Sequence, residues 1–465
     1  MTTNHGLTSE QEQWIAAASR EEVDGWLYIR VGGEPFARGF QHGFLVAAEW
    51  EEARRVYSAM TFQEYGLTYD FFQQHAVTLH KDKLGDEITQ EMQGIAAGLT
   101  AAGVPAELDD IIGWNAWMEM TGYWYPSVAN QYAKAGPRQP RHAHCSAFIA
   151  TGSATADGKI VIGHESFDDF WAGAFFNLIV DLTPAQGSRM VMQSIPGYVG
   201  SFTDFWITSA GLVWTETTIG SFRGYDPDRA PEYVRARRAT QYATSIDEWL
   251  AAINKDNNGG YANTWLVGDI KTGEIARYEE GLIYQNLERT TDGTFFGDNA
   301  PFDPRIMHLE CGDYGFNDIR WPTGARRVRW PQLLEQEHGR IDAQVGQAML
   351  GDTFDPYLGR NNPSMRTICS HYDADPLFHL AAHDEPFTPF GSVDGKVATA
   401  DDVAKMSMWG RFGRADGIAF DADEHLRQHP QFSWQAGYLR SRPSRPWTYF
   451  DNGVTTAESP DPQEL

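Results

Sequence analysis

Cys145 stands where the texture of the chain changes. It lies in Arg-His-Ala-His-Cys-Ser-Ala-Phe, residues 141–148, where a basic, proline-containing loop over 135–144 meets an apolar, β-rich run. Cutting one peptide bond there makes the cysteine a new chain terminus. Its thiol is then a nucleophile, and its own α-amine a base beside it. An α-amine titrates near about 8, which suits proton transfer at neutral pH. The competing reading is a reduced core thiol, because free cysteine also serves as a small buried hydrophobe. His142-Ala-His144 has the spacing of two metal ligands on one strand face. It lies in the same loop, no acidic or histidine partner has a matching spacing, and no metal site is expected.

The elements that must position Cys145 follow from periodicity. Residues 8–130 read mainly as helices, with apolar residues at helical spacing over 47–63 and 86–102. Glu34-Pro-Phe-Ala-Arg-Gly-Phe-Gln-His-Gly43 reads as a turn feeding a helix, with glycines four apart that permit close packing. From 145 onward the pattern becomes short strands. Ser146–Thr151 and Lys159–Gly163 flank Asp157-Gly158, a hairpin signal. Further strands are expected over 175–182, 188–193, 211–217 and 264–269, with one helix over 230–254 and a turn at Lys271-Thr-Gly273. Beyond Phe302 the chain reads as irregular, apart from helices near 343–350 and 401–408.

Composition narrows the classes. A chain of 465 residues that is 42% hydrophobic and 13% aromatic buries a large core. The formal charge of −26 argues against nucleic-acid and anionic-membrane partners. The three cysteines Cys145, Cys311 and Cys369 are too few, and odd in number, for a disulfide framework. Their spacing fits no zinc site. The opening Met-Thr-Thr-Asn-His-Gly lacks a basic region followed by an apolar stretch. No segment approaches about 18 uninterrupted apolar residues. A soluble, cytoplasmic protein is the expectation. No Walker loop, dinucleotide fingerprint or Gly-x-Ser-x-Gly elbow is present, and no cofactor is implied.

Several stretches in a shared order resemble a known family. They are the Cys-Ser-Ala opening at 145 with Gly-His-Glu-Ser-Phe (163–167), and Ser-Ile-Pro-Gly-Tyr-Val-Gly-Ser-Phe-Thr-Asp-Phe (194–205). Gly-Leu-Val-Trp-Thr-Glu-Thr-Thr (211–218), Asn-Asn-Gly-Gly-Tyr-Ala-Asn-Thr-Trp (257–265) and Pro-Phe-Gly-Ser-Val-Asp-Gly-Lys-Val (389–397) follow. The series resembles the phospholipase B-like proteins, which are N-terminal nucleophile (Ntn) hydrolases. Arg-Gly-Phe-Gln-His-Gly and Gln-Gly-Ile-Ala-Ala-Gly are similar to segments of the penicillin acyltransferase-like, self-processing cysteine peptidase group.

The resemblance implies an α+β fold, an αββα sandwich of two antiparallel sheets preceded by a mainly helical N-terminal segment. It implies two parts, 1–144 and 145–465, separated by self-cleavage between His144 and Cys145 and remaining associated. Cys145 is then the nucleophile and Asn263 the oxyanion donor, although a loop asparagine also satisfies local backbone. His164 is implied to bond the amine or thiol of Cys145, and Asp168 or Asp169 to orient the amine. Glu216 and Thr217 fall in the Glu-Thr-Thr motif, where a carboxylate tunes the ammonium. Arg326, in Gly-Ala-Arg-Arg-Val-Arg, is similar to an arginine that sits beside the nucleophile in bile-salt and penicillin V amidases. For Arg326 the alternative is a solvated basic strand. Trp114, Trp117 and Trp124, with Tyr123 and Tyr125, read either as the wall of an acyl pocket or as core.

The expected activity is hydrolysis, or acyl transfer, at a small linear amide through an acyl-enzyme. Alternatives are a phospholipase B-like ester hydrolase, an uncut Cys145–His164 thiol hydrolase, and a non-catalytic small-ligand binder. The expected partner is a small amide substrate, with a homo-oligomer left open.

Overall fold

A computed structural model describes residues 6–132, 144–312, 315–377 and 385–451. Helix α1 (Ser9–Ala16) starts from Thr8, whose side chain forms a reciprocal capping box with Gln11. A hairpin follows, β1 (Ser19–Val23) and β2 (Trp26–Gly33). Next come α2 (Pro35–Leu45), α3 (Ala47–Tyr65), α4 (Tyr69–His80), α5 (Gly85–Ala101) and α6 (Leu108–Glu119), then a π-turn over Met120–Trp124 and α7 (Tyr125–Val128). The second part begins with β3 (Cys145–Thr151), β4 (Val161–Asp169) and the short α8 (Phe170–Gly173). Strands β5 (Leu178–Pro184), β6 (Met190–Ser194), β7 (Phe205–Thr208) and β8 (Leu212–Thr218) lead to helices α9 (Glu232–Tyr242) and α10 (Ile246–Asn254). Then come β9 (Asn263–Asp269), β10 (Glu274–Glu280), β11 (Gln285–Thr290) and β12 (Gly293–Gly297), followed by α11 (Pro322–Gln336) and α12 (Ala343–Leu350). A small hairpin, β13 (Phe354–Asp355) and β14 (Arg360–Asn361), precedes β15 (Phe390–Ser392), β16 (Asp394–Thr399), α13 (Ala400–Ala404), β17 (Met408–Phe412), α14 (Ala422–Gln428) and β18 (Thr448–Phe450).

Two sheets stack face to face. The nine-stranded sheet runs β1-β2-β5-β6-β7-β8-β9-β10-β11. The seven-stranded sheet runs β12-β3-β4-β16-β17-β18, with β15 on β4. Alternation along the strands divides their side chains between two cores. Ile149, Ile162, Ile179, Val191, Val213 and Leu266 meet between the sheets. Trp214, Trp265 and Val267 face away, against Ala236 and Ala239 of α9 and Trp249 and Ile253 of α10. On the other side Phe148, Ala150 and Val397 pack against Trp330 and Leu334 of α11 and Met349 and Leu350 of α12. Helices therefore cover both outer faces, which is the αββα sandwich expected.

Three expectations change. The N-terminal segment is not helical throughout: β2 pairs in parallel with β5, Leu27 opposite Leu178 through Gly33 opposite Pro184. The two chain parts thus share a sheet, and that sheet is not wholly antiparallel. A parallel pair requires a long crossover, and the helices between β2 and β5 supply it. The stretch 230–254 is two helices, because the chain turns at Ala243–Ser245 and Ser245 caps the second through the Glu248 amide. The region beyond Phe302 is not irregular. It holds α11 and four strands of the second sheet, three to six residues each, too short for alternation to register. Near 401–408 the helix ends at Ala404 and a strand begins at Met408.

The glycines spaced four apart do bring two helices together. A Cβ on Gly39 or Gly43 of α2 would run into the backbone of α5 at Glu91 or Ile95. A Cβ on Gly94 or Gly98 of α5 would run into the Phe36 or Phe40 carbonyl of α2. The contact is reciprocal and backbone to backbone, so neither side can yield cheaply. Gly98→Ala should destabilise the fold by about 1–3 kcal/mol through overpacking. Urea unfolding followed by circular dichroism checks this, and an unchanged midpoint would show that the helices part without cost.

Candidate functional site

Cys145 is the first residue of β3 and is 4% exposed. It pairs across the ladder with Ser166 of β4, and Ala147 pairs with His164. The ladder extends one residue upstream, where the Phe167 amide donates to the His144 carbonyl at 2.5 Å. The bond expected to be cut is thus held extended against β4. The Cys145 amide donates to Asn299 Oδ1 at 3.1 Å. The same oxygen accepts from Arg326 Nη2 at 2.8 Å, while Arg326 Nη1 donates to the Cys145 carbonyl and to Ser146 Oγ. Asn299 is itself fixed by donating from Nδ2 to the Thr218 carbonyl at 2.8 Å. Arg326 is fully buried, lies in α11 rather than on a solvated strand, and clamps the start of β3 from outside the sheet.

The thiol meets a carboxylate pair. Cys145 Sγ lies 3.4 Å from Glu216 Oε1 on β8. Tyr261 Oη donates to Glu216 Oε1 at 2.9 Å and stands 2.6 Å from Asp204 Oδ2. The Tyr261 hydroxyl thus stands between the two buried carboxyls. Burial raises both carboxyls above their ordinary range. Burial also pushes the Cys145 thiol well up, with Glu216 and Asp204 adding to the shift and Lys396 opposing it. The thiol is therefore protonated in the uncut chain and needs a base to react.

His164 is fully buried, and neither ring nitrogen has a hydrogen-bond partner. Burial, reinforced by Lys396, holds its imidazole neutral, well below the usual histidine range. Its ring comes close to Cys145 and Glu216: one ligand-type atom from each of the three residues lies within 4.8 Å of the others. Lys396 of β16 pairs across the sheet with His164. Its Nζ is held by Asp394 Oδ1 at 2.7 Å and Ser166 Oγ at 2.9 Å.

Asn263 opens β9 and pairs with Thr218, while Glu216 pairs with Trp265. That register puts Asn263 on the same face as Glu216, one cross-strand step along. The Asn263 amide is fully buried with both Nδ2 and Oδ1 unpartnered. Buried polar groups without partners are rare in native folds. Here they gather: His164, Glu216 Oε2, Asn263, Thr215, Thr217 and Thr218 all lie on β4, β8 and β9. Such unpartnered buried groups call for a ligand or water to complete their hydrogen bonds. Two shallow clefts elsewhere, one lined by Arg20, Glu49 and Asn177 and one by Arg30, Asp181 and Arg189, hold none of these residues.

Not every expected residue arrives. Thr217 is adjacent to Glu216 and so faces the other way. Its hydroxyl lies against Gly297 of β12, where a Cβ would collide with it. Asp168 sits beyond the paired end of β3, opposite Gly391 of β15. Its charge acts on Tyr57 and Arg442 rather than on the thiol, and its Oδ1 accepts from the Asp169 amide. Trp114, Trp117 and Trp124 are packed in the helical core, with Trp114 and Trp117 edge-on to Tyr57 and Trp124 against His75. Tyr123 is the member of that cluster that reaches the site, edge-on to Tyr261. The π-turn over Met120–Trp124 changes the helical phase there, a feature frequent at functional sites. His142 lies outside the described residues.

Sequence reading missed Asp204, Tyr261, Asn299 and Lys396. The first three share a signature that the structure exposes: each has a positive φ, at 54°, 55° and 65°. Non-glycine residues in this region carry strain and cluster at functional sites. All three sit in stretches rich in Asn, Asp or Gly, a turn signal that does not by itself mark chemistry.

A family profile described as phospholipase B matches residues 9–288, more than half of the chain. Phospholipase B of Crotalus adamanteus is 25% identical over 321 residues, 63% of this chain and 54% of that one. Putative phospholipase B-like 1 of Caenorhabditis elegans is 30% identical over 338 residues, 64% of this chain and 56% of that one. The chain spans about half the length of the curated relatives it matches. A solved structure of a mutant conjugated bile acid hydrolase from Clostridium perfringens aligns with a TM-score of 0.33 at 10% identity, over 58% of this chain and 89% of that one.

Proposed function

Starting from a chain that belongs to the phospholipase B family, with the matched segment running through Cys145, His164, Glu216 and Asn263, we propose a self-processing Ntn cysteine hydrolase of small amides. The observation that carries this is the Cys145 thiol at the first position of β3, 3.4 Å from Glu216 of β8, while the neighbouring β9 opens on Asn263, fully buried with no partner. In the uncut chain the thiol attacks the His144 carbonyl carbon and the peptide nitrogen leaves as the Cys145 amine. Water hydrolyses the thioester, giving a carboxylate on His144 and the free thiol. The new α-amine keeps the Asn299 Oδ1 contact of the former amide. It then takes the thiol proton as the thiolate adds to a substrate carbonyl. Asn263 Nδ2 donates to the oxyanion, and the amine returns the proton to the leaving nitrogen. Water or a second amine resolves the acyl-enzyme.

The base is the α-amine, not His164. A buried imidazole held neutral resists taking a proton, whereas the amine belongs to the same residue as Sγ. The neutral amine is the active form, so kcat/KM should rise with pH through the amine ionisation, near about 8 for an unperturbed group. His164→Asn should lower activity yet keep this ascending limb. Measuring kcat/KM against pH for both proteins checks it; a limb that vanishes in the variant transfers the role to His164.

The names of the relatives favour a second reading, an ester of a phospholipid. A panel of N-acyl amino acids, lactams and N-acyl amines set against lysophospholipids separates the two. Turnover of lysophospholipid with none of the amides would overturn the amide reading. No helix among the described residues is long and apolar enough to cross a membrane.

A further inference from the structure

The three residues that surround the thiol are also a metal donor set. Cys145 Sγ, an imidazole nitrogen of His164 and a carboxylate oxygen of Glu216 lie within 4.8 Å of one another, and all three residues are buried. Thiolate, imidazole and carboxylate are the ligand types that zinc takes, and three protein ligands with one open position make a tetrahedral site. What distinguishes this group is that, although Cys145 Sγ reaches Glu216 Oε1 at 3.4 Å, its imidazole is not tied to a carboxylate. Both nitrogens of His164 and Oε2 of Glu216 are buried without any partner. A second group, Cys369, His371 and Asp416, is equally compact. There His371 Nε2 is already bonded to Asp416 at 2.8 Å, so its donors are in use. Lys396, whose charge acts on both the thiol and the imidazole, is paired with Asp394 at 2.7 Å. A thiolate and a carboxylate balance the charge of a divalent ion in this dry setting.

We propose that a zinc-class divalent cation binds Cys145, His164 and Glu216 and reversibly blocks the nucleophile. On binding, the thiol S–H gives its proton to solvent as the metal–sulfur bond forms, and the carboxyl pair gives up its proton if it still holds one. The sulfur lone pair that would attack a carbonyl is then committed to the metal. After the cut before Cys145, the new α-amine adds a nitrogen donor on the same residue as the thiolate, closing a five-membered chelate. Magnesium, which requires oxygen ligands, does not fit. The inhibitory consequence rests on the hydrolase reading above; the binding itself does not.

The test uses the purified full protein, its cleavage state fixed by mass spectrometry, and cobalt(II) as the spectroscopic probe. Cobalt should give a near-ultraviolet sulfur-to-metal charge-transfer band and tetrahedral visible bands, both displaced by zinc. Cys145→Ser should abolish the charge-transfer band. His164→Gln and Glu216→Gln, each checked for folding by circular dichroism, should weaken cobalt binding by about tenfold or more. Cys311→Ser and Cys369→Ser should leave the band in place. Zinc should stop chain cutting or substrate turnover in the wild type, with recovery on chelation, while magnesium does neither. No band in wild type, or a band that survives Cys145→Ser or is lost in Cys369→Ser, overturns the proposal. A band with these losses from a protein that neither cuts itself nor turns over any acyl substrate upholds the site and sinks the hydrolase reading instead.

Discussion

Denaturing mass spectrometry of the mature protein should show two chains, 1–144 and 145–465, and Cys145→Ala should remain a single chain. The expectation comes from the uncut geometry. The His144 carbonyl oxygen is fixed by the Phe167 amide, and the Cys145 carbonyl is clamped by Arg326. The scissile unit is thereby held on both sides, and the nucleophile needs only its own side-chain rotation to approach it. Holding reactants in place is worth several kcal/mol of barrier without any new chemistry. The thiol is closed in at 4% exposure, so no substrate reaches it before the cut. Removal of the 1–144 terminus from β4 vacates the Phe167 amide and frees the amine together. The effect is all or none: Cys145→Ala should show no cut chain and no turnover. An active enzyme that runs as one uncut chain would refute the processing step.

Asn263→Ala should lower kcat by about 10²–10³-fold, the usual cost of one oxyanion donor. KM should change little, because the amide meets charge that develops only in the transition state. The side chain is fully buried and makes no hydrogen bond, so its removal costs the fold little. Cys145 should still be alkylated, and the chain should still be cut if the processing oxyanion is served by Phe167. Unchanged turnover would reduce Asn263 to the residue that starts β9. Loss of both cutting and turnover would instead place the same amide in both reactions.

Much of this site was open to sequence reading, for a physical reason. Cys145 stands out locally, where a basic loop turns into an alternating strand, whereas His164, Glu216 and Asn263 came through the family resemblance, in motifs that fall on β4, β8 and β9. Strand positions were legible for the same reason, as in β3, β8 and β9, each within a residue or two of expectation. Arg326 lies against Cys145, and the alternative of a solvated basic strand falls because it is buried in α11; an arginine-rich run does not by itself show whether its face is buried. The hairpin β1–β2 was absorbed into a helical reading, since its role depends on pairing with β5 far along the chain.

Local pattern put Cys145 at the start of a strand and located the strands that carry the expected groups, while the family resemblance supplied the layers. Only folding set the company that the thiol keeps. Asp204, Tyr261, Asn299 and Lys396 come from four separate elements, and nothing in their local spacing points to Cys145. They meet because the sheets stack and the register between β4, β16, β8 and β9 is fixed by burial on both faces. Register also decided between neighbours. A side-chain period of two sends Glu216 and Thr217 to opposite faces, and the fold sets Glu216 3.4 Å from the thiol and Thr217 against Gly297 of β12, a choice that belongs to the sheet and not to the tripeptide.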